Sequence, residues 1–230
     1  MTLRVFHRAP LTRGAAIEID GEELHYLARV RRAKVGATLE VLDGEGVAMR
    51  AELARIDDRS ATLVLGDAIV HAAIDPLELW LALGDTDACT TAIASACELG
   101  VTRIELVKVA HGNHAEPAPA RIDRVVRAAM RQCGLPSPPI VVAARPLATC
   151  IDTSDPGGVI AWERLRGTQA PLPADVRPRL VVGPPGGLRD DEAEACMRHG
   201  MTPLSLGPWT LRTETATVAG LARLRARVPV

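Results

Sequence analysis

The sequence predicts an α/β protein with a mainly parallel sheet, preceded by a small β-barrel. Three observations predict it. Short alternating apolar segments separated by turns fill the stretch from Leu3 to about Ala73. After Asp75-Pro76 the pattern changes to buried apolar runs alternating with helical faces. Near the end, two loops rich in glycine and proline each follow a short apolar run and lead into a helical pattern.

The elements follow in order. Ala16-Ile17-Glu18-Ile19, Thr38 to Leu42, Met49 to Leu53 and Ala61 to Leu65 read as strands, with Asp20-Gly21 and Asp43-Gly44 as turns. One short helix interrupts them from Gly21 to Arg32, with Leu24, Leu27 and Ala28 on one face. Leu77 to Leu83 is a buried strand, and Asp87 caps a helix that runs through Ile93 and Cys97 to a stop at Gly100. Val101 to Val109 is the next strand. The helix from Arg121 to Gln132 places Ile122, Val125, Val126 and Ala129 on an apolar face and Arg124, Arg127 and Arg131 along another. Ile140 to Ala143, Val159 to Trp162 and Leu180 to Val182 are further buried strands, and Pro171, Pro173 and Pro178 hold the intervening loop extended. A helix capped by Asp190 ends at Gly200, and the last helix runs from about Glu214 towards Arg227.

Composition narrows the function. Phe6, Tyr26, Trp80, Trp162 and Trp209 are all the aromatic residues, too few for a platform of stacked rings along single-stranded nucleic acid. The net charge of −1 conceals a basic stretch: residues 1–36 carry seven Lys/Arg against four acids, whereas residues 37–105 carry four Arg against thirteen. Arg121 to Arg145 is basic again, and such patches suit phosphate or simply face solvent. Five scattered cysteines without a Cys-x-x-Cys pair, and no signal-peptide apolar region at the N-terminus, imply a reducing, cytoplasmic location; no run suits a membrane span. His111-x-x-His114 with Glu116 has metal-compatible spacing but lacks a third strong ligand, so no metal is expected.

The chemistry is expected in the two loops, Gly183-Pro184-Pro185-Gly186-Gly187-Leu188 and Leu204 to Ala216. Glycine at strand-to-helix junctions lets backbone amides and carbonyls approach a ligand closely. The first loop matches neither Gly-x-x-x-x-Gly-Lys-Ser/Thr nor Gly-x-Gly-x-x-Gly. In the second, Thr213 or Thr215 suits a helix cap and Glu214 the helix dipole, which leaves Arg212 to hold a phosphate or carboxylate.

The spacing of these loops, with Glu98-Leu99-Gly100-Val101 and Arg131-Gln132 upstream, resembles the bacterial 16S ribosomal RNA uridine-N3 methyltransferases of the SPOUT superfamily, across nearly the whole chain. The resemblance implies a PUA-like barrel over residues 1–73 and, over 74–230, a trefoil-knotted α/β domain that binds S-adenosylmethionine as a homodimer. It implies a cofactor site of Ile160, Ala161, Trp162 and Glu163; Val182, Gly183, Pro184, Gly186 and Gly187; and Leu204, Ser205, Leu206, Gly207 and Leu211. Arg212 and Glu214 become catalytic candidates, the latter as proton acceptor or merely as a helix-start acid. Arg4, Arg8, Arg29, Arg31, Arg32, Arg124, Arg127 and Arg131 become contacts to ribosomal RNA of the 30S subunit. Pro185 stands where the family commonly has glutamate. Gly84-Asp85-Thr86-Asp87 and Val109-Ala110-His111-Gly112 replace its usual Lys/Glu-containing and Ser-Glu-Arg-like loops. Three functions follow: the uridine methyltransferase, the same fold acting on another RNA or a small molecule, or a noncatalytic RNA-binding homologue.

Overall fold

The computed structural model describes residues 2–8, 10–112, 115–165, 172–173 and 175–226. His114, Pro171 and Arg227, named above, lie outside the described residues. The chain divides into two compact units, Met1–Ala73 with Met130–Pro138 and Ile74–Ala129 with Pro139–Val230.

The first unit is a five-stranded mixed sheet, curled as a half-barrel. It comprises β1 (Arg4–Phe6), β2 (Ala16–Ile19), β3 (Thr38–Leu42), β4 (Ala48–Ile56) and β5 (Ala61–Ala68), in the order β1-β3-β4-β5-β2. Alternation does the work here: Ile17, Ile19, Leu39, Val41, Leu53, Leu63 and Leu65 all face one core. Helix α1 (Gly21–His25) passes directly into a π-helical turn over Tyr26–Val30, so the expected helix ends two residues early and drops Leu24 and Leu27 into that core. Arg32, at φ 51°, turns the chain out of it.

The second unit is a parallel six-stranded sheet. Its strands are β6 (Glu78–Ala82), β7 (Arg103–Lys108), β8 (Ile140–Pro146), β9 (Gly158–Ala161), β10 (Arg179–Val182) and β11 (Met201–Leu204), in the order β11-β9-β10-β6-β7-β8. The helices are α2 (Thr86–Glu98), α3 (Pro119–Cys133, whose last residues belong to the first unit), α4 (Leu147–Asp152), α5 (Asp190–Arg198) and α6 (Thr213–Arg225). Continuous apolar runs form the inner strands because both faces of a parallel sheet are covered. Leu79, Trp80, Leu81, Ile104, Leu106, Ile160, Leu180 and Val181 are all buried.

Two expected caps move. Asp85, not Asp87, caps α2, its Oδ1 accepting from the N–H groups of Asp87 and Ala88 at 2.9 and 3.0 Å. The cap needs the extended backbone that Asp85 has (ψ 136°), while Asp87 already lies in the first turn. Arg189 holds the cap position of α5, and Asp190 instead opens its first turn, paired with Arg164.

The amino-terminal ends of the central strands are pinned by a buried cation. Arg179 on β10 bonds Glu78 on β6 (Nε to Oε2, 2.8 Å) and the carbonyls of Asp155 (2.7 Å) and Gly157 (3.2 Å) before β9, and its guanidinium lies 4.6 Å from the Trp80 ring centroid. Helix α6 packs against α2 and β10. Gly220 permits this close seat, since a Cβ there would stand 2.6 Å from Leu180 Cδ2.

Candidate functional site

At the opposite, carboxyl-terminal ends of β9, β10 and β11 the chain continues as main chain with few bulky side chains, and a cleft of about 250 Å³ opens. Open parallel sheets place ligands at this end, where neighbouring connections diverge. The end of β9 contributes Ala161, Trp162 and Glu163; the loop after β10 contributes Val182, Gly183, Pro184, Pro185, Gly186 and Gly187. The segment after β11 contributes Leu204, Leu206, Gly207, Trp209, Thr210 and Leu211, and the start of α6 adds Thr213 and Ala216.

The first loop is a tight turn closed by the Gly187 N–H donating to the Pro184 carbonyl at 2.8 Å. Gly187 sits at φ 71°, and a Cβ there would stand 3.1 Å from Glu163 Cδ, so glycine is what lets the Glu163 carboxylate lie over the loop. The Thr213 hydroxyl donates to the Gly183 carbonyl at 3.2 Å and thereby ties the start of α6 to this loop, instead of capping the helix as expected. Its position as the first helical residue, rather than the one before, explains the change.

Two further loops meet the first from β6 and β7. The Pro185 ring abuts Gly84, and the Cβ of His111 would lie 3.2 Å from one built on Gly186. Glu192 of α5 braces the arrangement, its Oε1 accepting from Ala110 N at 2.8 Å and its Oε2 from Arg189 N at 2.9 Å.

Of the residues expected to hold a cofactor, Ile160 and Ser205 stand outside the wall. Ile160 is core beneath it, and Ser205 Oγ lies 3.4 Å from both the amide and the carbonyl of Gly207, closing the second loop from behind. Arg212 is exposed at the cap position of α6 and Glu214 is half-buried in its first turn; they flank Thr213, and neither lines the cleft. Pro185, Trp209 and Thr210 fall within the two loops expected to surround the cofactor but were not named individually, and Thr213 and Ala216 were not expected to face a ligand. An indole between Pro208 and Thr210, in a chain so poor in aromatics, was the available signal for Trp209.

Glu163 is the one carboxylate in the wall, and it makes no hydrogen bond or ion pair among the described residues. Trp162 Nε1 is buried without a hydrogen-bond partner among the described residues. Burial pushes the Cys89 thiol up, although the Gly84 N–H donates to its sulfur at 3.4 Å, and pushes Cys196 up to about 12 with help from Glu192. Both stay protonated at neutral pH, which removes them as nucleophiles. Among the described residues no group of three or more His, Cys, Asp and Glu is arranged to hold a metal, and no helix is long and apolar enough to cross a membrane.

The arginines separate into two kinds. Arg4 bonds Glu40 (2.6 Å) and the carbonyls of Arg131 (3.3 Å) and Gln132 (2.9 Å), and Arg131 pairs with Glu23 while lying 4.6 Å from the Tyr26 ring centroid. Both are fastened inside the first unit. Arg31 leans over Tyr26 at 5.9 Å, Arg127 pairs with Asp123 at 3.1 Å, and Arg29 faces Asp58 at 3.6 Å. Arg8, Arg32 and Arg124 are exposed.

Comparison with known proteins places this geometry. Residues 72–225 match the model of the RNA methyltransferase domain, and residues 19–66 match that of the RNA methyltransferase PUA domain. The chain is 27% identical over 225 residues to Ribosomal RNA small subunit methyltransferase E of Synechocystis, covering 92% of this chain and 73% of that protein. It is 25% identical to the Rickettsia conorii protein of the same name, covering 96% and 94%. Two solved structures share the fold over 98% of both chains: Lpg2936 from Legionella pneumophila in complex with the bound cofactor SAM (TM-score 0.83, 22% identity), and Ribosomal RNA small subunit methyltransferase E from Neisseria gonorrhoeae bound to S-adenosyl methionine (TM-score 0.81, 24% identity). The fold is thus the SPOUT type with a PUA-like unit, as the resemblance implied. With two thirds of its length matched by one family model and a cleft of main chain at the ends of three parallel strands, the chain belongs to the RNA methyltransferase domain family.

Proposed function

We propose that this protein uses S-adenosylmethionine to methylate N3 of a uridine in 16S ribosomal RNA of the small ribosomal subunit, in the cytoplasm and as a homodimer. The observation that carries the reading is the cleft, built from the backbone of two glycine-containing loops in a member of an RNA methyltransferase family. The names of the relatives, and the cofactor in the two solved structures, support small-subunit ribosomal RNA and S-adenosylmethionine.

The residues present fit that cofactor. Among the described residues Trp162 Nε1 is a buried donor without an acceptor, and the Glu163 carboxylate, which has no ion-pair partner among them, supplies the negative charge that a cationic ligand requires. Backbone N–H and C=O groups of Gly183 to Gly187 and Leu204 to Leu211 suit an adenine edge. When bound, S-adenosylmethionine supplies a methyl group on a sulfonium, already activated for transfer.

The protein's task is then alignment, exclusion of water and removal of the N3 proton. Pro184, Leu204, Leu206 and Leu211 keep the cleft apolar. Arg212 beside its rim orients the substrate by charge, and Glu214, which stands outside the wall in the first turn of α6, serves as the helix-start acid rather than as the proton acceptor. Residues 1–73 carry the RNA, with Arg8, Arg29 and Arg32 as phosphate contacts alongside Arg124 of the transferase domain. Arg4 and Arg131 act on RNA only through the shape they maintain.

The test is methyl transfer from labelled S-adenosylmethionine to 30S subunits lacking the modification, followed by nucleoside analysis. The reading expects 3-methyluridine. It fails if this protein leaves the subunits unmodified while a relative of established activity modifies them; transfer to a different RNA would overturn the substrate and leave the cofactor standing.

A further inference from the structure

The cleft has an aromatic residue at its mouth that the cofactor reading does not use. Trp209 lines the cleft and yet remains 81% exposed, whereas Trp80 is fully buried and Trp162 is half-buried. A large apolar ring held in water, in a chain with five aromatic residues, calls for a partner that covers it. Gly207 at φ 132° takes a turn open to glycine, and Pro208 stiffens the residue immediately before the indole.

We infer that Trp209 is a positioning residue for the acceptor nucleobase, providing a flat face on which the uracil ring stacks as it enters the cleft. The inference rests on the proposed uridine N3 reading and names how the base is held. N3 lies on the edge a uridine uses for pairing, so the base must leave its pair and its stack before a methyl group can reach it. An indole at the entrance replaces the lost stacking, and base–aromatic stacking of this kind is sequence-tolerant because every base has a π-face. Trp209 therefore holds the plane of the base and leaves its identity to polar groups deeper in the cleft.

Trp209→Ala, Trp209→Leu and Trp209→Phe separate stacking from bulk. Steady-state methylation of 30S subunits is measured together with calorimetric titration of S-adenosylmethionine, subunit mass by light scattering, and quenching of tryptophan fluorescence by oligouridylate. The expected result is an RNA KM raised roughly tenfold or more in the Ala and Leu variants, unchanged cofactor affinity, near-normal behaviour of Phe, and a quench in the wild type that is lost in Trp209→Phe. Three results overturn the inference: Ala or Leu matching the wild type, no quench attributable to Trp209, or a changed subunit mass in Trp209→Ala, which would show that a second copy covers the ring. A Trp209-dependent quench in a protein that transfers no methyl group would sink the uridine N3 reading and leave the stacking role intact. Methyl transfer indifferent to Trp209 would do the reverse.

Discussion

Pro185 occupies the space that a side chain on Gly84 would need: a Cβ built on Gly84 stands 2.7 Å from Pro185 Cδ. The two residues lie in different loops, and the structure makes them one packing unit. Gly84→Ala forces the proline loop to shift, at a cost of about 1–3 kcal/mol, and lowers affinity for S-adenosylmethionine. Adding Pro185→Ala recovers part of both losses. Urea denaturation and calorimetric titration across this double-mutant cycle measure the coupling; strict additivity would show that the contact carries no energy.

Gly187→Ala meets two obstacles, its positive φ and the Glu163 carboxylate. The left-handed backbone alone costs about 1–2 kcal/mol, and the displaced loop loses cofactor binding. Glu163→Ala in the same chain removes the steric part and leaves the backbone part. A double variant as unstable as Gly187→Ala alone would mean that Glu163 moves aside freely.

Burial raises the Cys196 thiol to about 12, against an ordinary value of 9.0. The unfolded chain therefore ionises first as pH rises, so the stability Cys196 contributes is whole below pH 9 and is lost progressively towards pH 12. Urea midpoints measured between pH 8 and 10.5 should fall less steeply in Cys196→Ala than in the wild type. Parallel slopes would refute the linkage.

Arg4 and Arg32 should separate under mutation although both were expected to touch RNA. Arg4→Ala abandons the Glu40 pair and two backbone carbonyls, and costs stability of about 2–3 kcal/mol. Arg32→Ala leaves stability within about 0.5 kcal/mol and lowers the salt dependence of RNA affinity by about one phosphate contact. Melting curves and binding titrations at several salt concentrations distinguish the two behaviours.

Periodicity made most of the fold legible. Alternation marked β2, β3, β4 and β5, and apolar runs marked β6, β7, β9 and β10, because each pattern reports which faces are buried. Helix α4 was hidden: Leu147 to Asp152 is too short to display a face, although Leu147 and Cys150 are buried. The π turn after α1 was hidden too, since nothing in Tyr26–Val30 distinguishes a widened turn from an ordinary one. Strand order, which places β9 between β10 and β11, depends on pairings between distant segments that local pattern does not encode. At the site, glycine and proline announced the loops, whereas the side of each residue that faces ligand came only from the fold. Ser205 and Thr213 illustrate this, one turned behind its loop and the other joining two loops.

Arg179 gives the sheet opposite properties at its two ends. Its guanidinium staples β6, β10 and the approach to β9 at one end, while the other ends of β9 and β10 pass into turns. Replacing it with a hydrophobe of similar size would leave the half-buried Glu78 carboxylate with the Trp80 indole N–H but without its counter-charge, so the staple resists simplification one residue at a time. Adaptation to a new ligand is consequently channelled to the loops, where sequence can drift without unfastening the strands that carry them.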